Sequence, residues 1–303
     1  MPDGLTLGSL SLAEIAGRLN GPGLHLQTGV FRFAIRSPFP GVARGVARLY
    51  AHHPVAEADF ADFHVRVAAP PWRRYVRAQS QFHLDGLTPF KPLPGAQALP
   101  MLEWGMNWCI TAHAHQYLIL HAASLAWQGR GLIMPAPPGS GKSTLAAALC
   151  FRGWRLLSDE LSLLGKDTGQ MSAVARPISL KNASIDVMRG FVADAVLSDV
   201  VRDTLKGTVA HLRPPQDSVA QALEPATPRW IVLPRYEAGA PATLTPLPRA
   251  RAFMELAQNA FNYNLLGEAG FTVLAGLVDG CECYRFSYGN LDEAVATFAG
   301  LAA

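Results

Sequence analysis

The stretch "GLIMPAPPGSGKSTLAAALC" (131–150) constrains the fold more than any other part of the chain. An apolar run ends in Pro and Gly, and an Ala- and Leu-rich segment of high helix propensity follows at once. That order is met by a strand, a tight loop and a helix, a unit that needs neighbouring strands to cover it. Inside it, Ala136-Pro137-Pro138-Gly139-Ser140-Gly141-Lys142-Ser143 matches the spacing Gly or Ala, four residues, then Gly-Lys-Ser/Thr. Gly139 and Gly141 let the backbone turn so that consecutive N–H groups face one phosphate. The helix that follows adds positive potential at its N-terminus. On this reading Pro138, Gly139, Ser140, Gly141, Lys142, Ser143 and Thr144 bind ATP, with Lys142 reaching the terminal phosphates and the Ser143 hydroxyl acting as an Mg2+ ligand. The plainer alternative is a strand–turn–helix junction without a ligand; the correctly placed strand and helix favour the phosphate loop.

A phosphate loop also needs a carboxylate, to fix the metal or to take a proton. "WRLLSDELSLL" (154–164) reads as strand, acid pair and strand. A strand returning from the loop's helix places Asp159 and Glu160 at the carboxyl edge of the sheet, beside the phosphates. Two further groups of cations are candidates. Lys206, His211 and Arg213 in "LKGTVAHLRPP" form either a mobile loop that closes over a phosphate or an ordinary exposed turn before a strand. Arg235 in "VLPRY" ends a strongly apolar strand at the same expected sheet edge. It either neutralises transferred phosphate or pairs with an acid.

Composition excludes several other classes. Net charge is only +3 over 303 residues, and no face-forming run of Lys and Arg occurs, so no nucleic-acid partner is expected. The densest basic stretch, "PWRRYVR" (71–77), reads as a solvated strand edge. Cys109 and Cys150 lie in apolar, helix-like stretches and read as core thiols. Cys281 and Cys283 have the wrong spacing for a zinc clip and read as one face of a strand. His113 and His115 are two apart on a helix and share no face. Trp104, Trp108 and Trp127 read as core or interface filling. No apolar run approaches the length of a membrane span and the N-terminus is polar, so neither a membrane nor a secretory signal is expected. The expectation is a cytoplasmic protein with reduced thiols.

Periodicity places a short helix at 11–19 capped by Ser11 with Glu14 three residues later, strands at 24–37, 62–69, 75–79 and 80–86, and a helix at 41–53 between the first two. The Pro- and Gly-rich segment 88–100 reads as a boundary, giving an N-terminal α+β accessory segment (1–100) and a catalytic domain (101–303). Beyond it come a helix at 101–116, two apolar strands, the loop unit, a strand at 173–181, a helix in "SIDVMRGFVADAV", a strand in "LKGTVAHLRPP" and a buried strand at 229–236. Helices at 249–261 and 291–302 close the chain.

The run "LHAAS…GRGLIMPAPPGSGKSTLAAALCFRGWRLLSDELSLL" resembles the catalytic core of HPr kinase/phosphorylase. His121-Ala122, Gly141-Lys142-Ser143, Arg152-Gly153-Trp154-Arg155-Leu156 and Asp159-Glu160 carry the likeness. "RPISLKNASID", "KGTVAHLRPP", "LPRY" and "FNYNLLGEAGF" are similar to stretches of the HPr-kinase-related group called kinase A. The resemblance implies an α/β P-loop kinase core of the HPr kinase/PEP carboxykinase type with a mixed sheet, using ATP and Mg2+. It implies that Asp159 accepts the substrate hydroxyl's proton and that Glu160 helps Ser143 hold the metal. His121 matches the family's active-site His, although it also reads as a polar cap on the strand before it. Lys181 and Asn182 stand where true HPr kinases carry Glu-Ile-Arg-Gly, so recognition of HPr itself and the reverse, phosphorylase reaction are not expected. The implied acceptor is a Ser or Thr hydroxyl on a peptide or protein, within a ribosomal-peptide modification system that includes a PqqD-like peptide chaperone. The resemblance also allows self-association into a homo-oligomer. A kinase of a small molecule such as free serine, and an ATP-responsive binding module without turnover, are the alternatives.

Overall fold

The computed structural model describes residues 5–55, 60–70, 78–137 and 139–303. The basic stretch 71–77, most of the strand expected at 75–79, and Pro138 of the loop lie outside the described residues.

The N-terminal part begins with α1 (Leu12–Asn20). Ser11 caps it and Glu14 reaches back, forming the capping box that the spacing suggested. Next come β1 (Leu24–Thr28), β2 (Phe31–Arg36), α2 (Pro40–Leu49), β3 (Phe63–Ala68), β4 (Gln79–Leu84) and the short β5 (Leu93–Pro94). The five strands form one sheet in the order β1-β2-β3-β4-β5, with β2 and β3 parallel and the other pairs antiparallel. The expected strand 24–37 is thus a hairpin, broken at Gly29, where φ is +61°. Alternation decides which side chains are covered. Leu24, Leu26, Phe33, Ile35, Val65, Val67, Phe82 and Leu84 face inward.

The helix after the Pro-rich segment, α3 (Ala98–His113), starts three residues earlier than periodicity suggested. It packs on this N-terminal sheet, sharing one core with α1, α2 and β1–β4 through Leu102, Met106, Cys109 and Ile110.

The central sheet is built from β6 (Tyr117–Trp127), β7 (Arg130–Pro135), β8 (Arg155–Ser158), β9 (Leu161–Gly165), β10 (Met171–Ser172), β14 (Thr227–Tyr236), β15 (Thr243–Pro246) and β16 (Glu282–Tyr288). It is mixed, in the order β10-β9-β6-β7-β14-β16-β15, with β8 also pairing β6. One face is covered by α4 (Lys142–Cys150), α5 (Ala183–Phe191) and α9 (Leu291–Ala302). Ala123, Leu125, Leu132 and Met134 of the strands pack there against Trp154, Trp230 and Phe298. The other face, with Leu120, Ala122, Ile133 and Ile231, is covered by α7 (Arg249–Gln258) and α8 (Tyr263–Gly280). A separate three-stranded sheet holds β11 (Ile178–Lys181), β13 (Gly207–Leu212) and β12 (Val201–Thr204), in that order. A short helix, α6 (Gln216–Ala220), leads from it to β14.

Two elements depart from the sequence expectation. The strand expected over 173–181 is confined to Ile178–Lys181. Pro177 has no N–H for a ladder, and just before it Arg176 N–H closes a turn on the Val174 carbonyl at 2.7 Å. Helix α8 was not expected. Its opening carries Asn and Gly, and Gly267 interrupts it with φ +54°, which hides the helical period. Its buried positions Leu274, Leu277 and Val278 nevertheless recur at helical spacing. Cys281 and Cys283 are buried at the start of β16, and Cys109 and Cys150 lie in helix cores.

Candidate active site

The loop between β7 and α4 turns on two glycines, Gly139 and Gly141, each at φ +85°. At Gly141 a Cβ would stand 2.5 Å from the Tyr288 hydroxyl and 2.9 Å from Tyr236 Cβ, so both conformation and space demand glycine. Those tyrosines end β14, which pairs with β7, and β16, the next strand beyond it, and they hold the loop. Tyr236 N–H donates to the Ser140 carbonyl at 2.9 Å, and the Tyr288 hydroxyl donates to the Gly141 carbonyl at 3.1 Å. The parallel strands β14 and β16 therefore fix the loop from their carboxyl ends, where an open α/β sheet places its ligands.

Residues 159 and 160 are the two-residue link between β8 and β9. Both of those strands pair antiparallel with the single long strand β6, β8 opposite Ser124–Ala126 and β9 opposite Tyr117–His121. The acid pair thus sits level with Ala122 and Ala123 on one side of β6. On the other side Ala122 pairs with Pro135, the last residue before the loop. The pair does lie at the carboxyl end of β8, but the chain continues beyond it as β9. The kink is held by the Ser158 hydroxyl, which accepts from Leu161 N–H at 3.0 Å.

Among the described residues, five polar side-chain atoms around the loop and the acid pair are buried with no hydrogen-bond partner: Lys142 Nζ, Ser140 Oγ, Asp159 Oδ1, Ser179 Oγ and His211 Nε2. Lys142 is 8% exposed and Asp159 5%. An unpaired buried ammonium and carboxylate oxygen are costly, and native structures retain them only where something else compensates them. Asp159 Oδ2 accepts from Ser179 N–H of β11 at 2.9 Å, and Ser143 stands beside the same carboxyl group. Burial and the adjacent Glu160 raise the Asp159 pKa to about 6, against Lys142, Ser179 and Ser143, which lower it. Burial also depresses the Lys142 pKa, only partly offset by Asp159 and Glu160. For Glu160, burial opposes ionisation, but Lys206, Lys181, Lys142 and His121 outweigh it and hold the pKa below the usual carboxylate value.

The other sequence candidates divide. Lys181 comes within 3.7 Å of Glu160 Oε1 from the end of β11. Lys206, in the turn between β12 and β13, lies 5.1 Å from the centre of the Trp104 ring. Trp104, read from sequence as filling, is thus the platform under a site lysine. His211 is buried beside the acid pair, lining a small cavity with Asp159, Glu160 and Ser179. Burial lowers its pKa. His121 is half-buried, and burial together with Lys142 lowers its pKa to about 4, so its imidazole is neutral at pH 7. Its backbone N–H donates to the Asn259 carbonyl at 2.6 Å. Arg213 turns away to the Arg48 carbonyl at 3.5 Å. Arg235 pairs with Glu237 at 2.7 Å, its side chain 77% exposed. Neither arginine joins the cluster.

Four residues of the site escaped the sequence reading. Asn107 of α3 donates to Glu160 Oε2 at 3.4 Å and accepts from Arg176 Nη1 at 2.8 Å. Arg176 is ion-paired with Glu103 at 2.7 Å, and both are buried. The Tyr50 hydroxyl donates to the same Glu103 carboxylate at 2.8 Å. A charged residue inside the otherwise apolar run "MLEWGMNW" was the available signal, because a buried Glu requires a partner. Glu160 Oε1 faces Lys181 and its Oε2 faces Asn107, while Ser143 stands beside Asp159.

No family model matches the chain, and no curated protein matches it. Among solved structures it is similar to the HPr(Ser) kinase/phosphatase from Coxiella burnetii, at 13% sequence identity. That match covers 60% of this chain and 96% of the other, with a TM-score of 0.27. A superposition this loose carries no residue roles across.

Proposed function

We propose that the protein is an ATP- and Mg2+-dependent phosphotransferase that phosphorylates a hydroxyl, a Ser or Thr on a peptide or protein. The observation that carries this reading is that Lys142 Nζ, Ser140 Oγ and Asp159 Oδ1 are buried without a partner among the described residues, next to a loop with two glycines in left-handed conformation. A triphosphate with its metal fits that set. The loop amides and Lys142 suit phosphate oxygens, while Ser143 and Glu160 would supply oxygen donors of the kind Mg2+ takes. When bound, ATP supplies the phosphoryl group and Mg2+ neutralises its charge.

The chain's own residues account for the rest. Asp159 presents one free carboxylate oxygen and has a pKa of about 6, so it is ionised at pH 7 and able to take the acceptor's proton. Glu160, held ionised by the three lysines, orients Lys181 and contributes negative charge on the metal's side. Lys206, on its turn over Trp104, supplies positive charge toward the transferred group. His121 enters as a neutral imidazole, a hydrogen-bonding group and not an acid. Arg235 and Arg213 are left out of the phosphate site. The cavity on the α3 side of the acid pair holds only about 20 Å³, so the acceptor approaches Asp159 from the loop side. The motif resemblance supports a peptide acceptor handled with a PqqD-like chaperone.

Purified protein incubated with γ-labelled ATP and Mg2+, and offered Ser-bearing peptides and free serine, tests the reading. Label on peptide is expected. Label on serine alone would make the protein a small-molecule kinase. ATP binding without transfer to any acceptor would make it a binding module.

A further inference from the structure

The outer face of the N-terminal sheet carries a second concentration of charge, unrelated to the loop. A cleft of about 1090 Å³ runs across it, lined by Arg18, Arg36, Arg66, His25, His64 and His83. The strand register shows how these are set out. Arg36 of β2 pairs with Arg66 of β3, and Arg66 pairs with His83 of β4, one row of basic side chains across three adjacent strands. One position along, Ala34 separates His25 from His64 in a second row. Like charges directly opposite each other in a sheet destabilise it. Among the described residues that line the cleft, Asp85 is the one acid that opposes them, 3.6 Å from His64 Nδ1. Arg36 is pre-set at the cleft, its Nε and Nη2 both donating to the Pro22 carbonyl at 3.1 and 2.8 Å. The crowding is felt by the rings. After burial, His64 and Arg36 lower the His25 pKa, and Arg66 lowers that of His83.

A sheet that sets Arg36 directly opposite Arg66, with His83 next in the row and no acid in that row among the described residues, has the pattern of a surface completed by an anion. We propose that this cleft docks an acidic peptide segment, with Asp and Glu carboxylates paired to Arg66, Arg36 and the histidines. Planar guanidinium groups side by side suit carboxylates, which they can grip with two parallel hydrogen bonds. The shape favours a peptide over a nucleic acid. Among the described residues the lining contains no Phe, Tyr or Trp on which bases could stack, and the chain's net charge of +3 is too small for a polyanion footprint. A groove across a few strands, about 4.8 Å apart, is the width of an extended chain.

The test uses the full-length protein and a fluorescent oligoglutamate peptide of about ten residues, with an oligothymidylate of equal charge as the competitor. Binding of the peptide that weakens with added salt is expected. The double variant Arg66→Gln/His83→Gln, which leaves the structural Arg36 in place, is expected to lose about tenfold in affinity, as two lost charge-assisted contacts would. Its ATP binding, read in the same samples, stays at the parent level, which separates this outcome from any failure of the phosphotransfer reading. Its melting temperature is expected to equal or exceed the parent's, because Arg66 no longer stands opposite Arg36. Unchanged peptide affinity in the double variant, absence of peptide binding, tighter binding of the oligothymidylate, or a lowered melting temperature would each overturn the proposal.

Discussion

At Asp159, burial and the neighbouring Glu160 push in one direction, Lys142, Ser179 and Ser143 push in the other, and the balance leaves the carboxyl group at about 6. If it is the base, the rate of transfer falls about tenfold per unit as pH drops below that value and is flat above it. A pH–rate profile measured between about pH 5 and 8 checks this, and Asp159→Asn should remove transfer while ATP still binds. The same shift has a consequence for stability with the opposite sense. The unfolded group titrates near 3.8. Between about pH 4 and 6 the folded protein therefore holds a proton that the unfolded chain has lost, so stability declines as pH rises through that window and stays lower above it. Asp159→Asn removes the penalty and should stabilise the protein at pH 7 by on the order of 1–3 kcal/mol, and by less at pH 4.5. Urea unfolding at the two pH values measures the difference. Gly141 makes the other residue-scale case. An alanine there must adopt φ +85° against two tyrosines, and Gly141→Ala should cost about 1–3 kcal/mol and weaken ATP binding strongly, read by melting and by nucleotide titration.

Among the elements, the loop unit was legible because its signals are local. Strand, two glycines, Lys-Ser and an Ala-rich helix follow one another in 20 residues (131–150), and each position's conformation is set by its own side chain or the lack of one. The capping box of α1 was legible for the same reason. What α3 does was not, because its role depends on partners far away in the chain. Its Glu103 meets Arg176 and Tyr50, and its Asn107 meets Glu160. Periodicity could find the helix but not the face that serves the site. These contacts give α3 a measurable weight. Removing one partner of a buried ion pair leaves an uncompensated charge, so Glu103→Gln should destabilise by about 3–5 kcal/mol. Replacing both partners, as Glu103→Leu/Arg176→Met, should recover much of that stability. If Asn107 takes its orientation from Arg176, the double variant should still transfer phosphate more slowly than the parent. A double-mutant cycle in urea, with transfer rates alongside, separates the two effects.

The molecule as a whole is joined through that same helix. The core of the N-terminal sheet does not end with it: Ile119 of β6, Leu161 and Leu163 of β9, and Val174 belong to the same buried cluster. The hairpin between β1 and β2 abuts the chain just before β11, with Val30 N–H donating to the Ala173 carbonyl at 3.3 Å. At Gly29 a Cβ would lie 1.9 Å from that carbonyl oxygen. His53 reaches the Ala175 carbonyl at 2.7 Å. The segment so held, 173–176, ends in the arginine that grips Asn107 and runs straight into Ser179, the donor to Asp159. Taking away the N-terminal sheet would therefore uncover the apolar face of α3 and of β9 together, and free the strand that orients Asp159. A chain beginning at residue 98 should in consequence lack a cooperative thermal transition and bind a hydrophobic dye, instead of surviving as a smaller competent unit. A sharp melt and parental ATP affinity in that shortened chain would show that residues 1–97 are a detachable accessory, as the Pro-rich segment 88–100 alone would suggest.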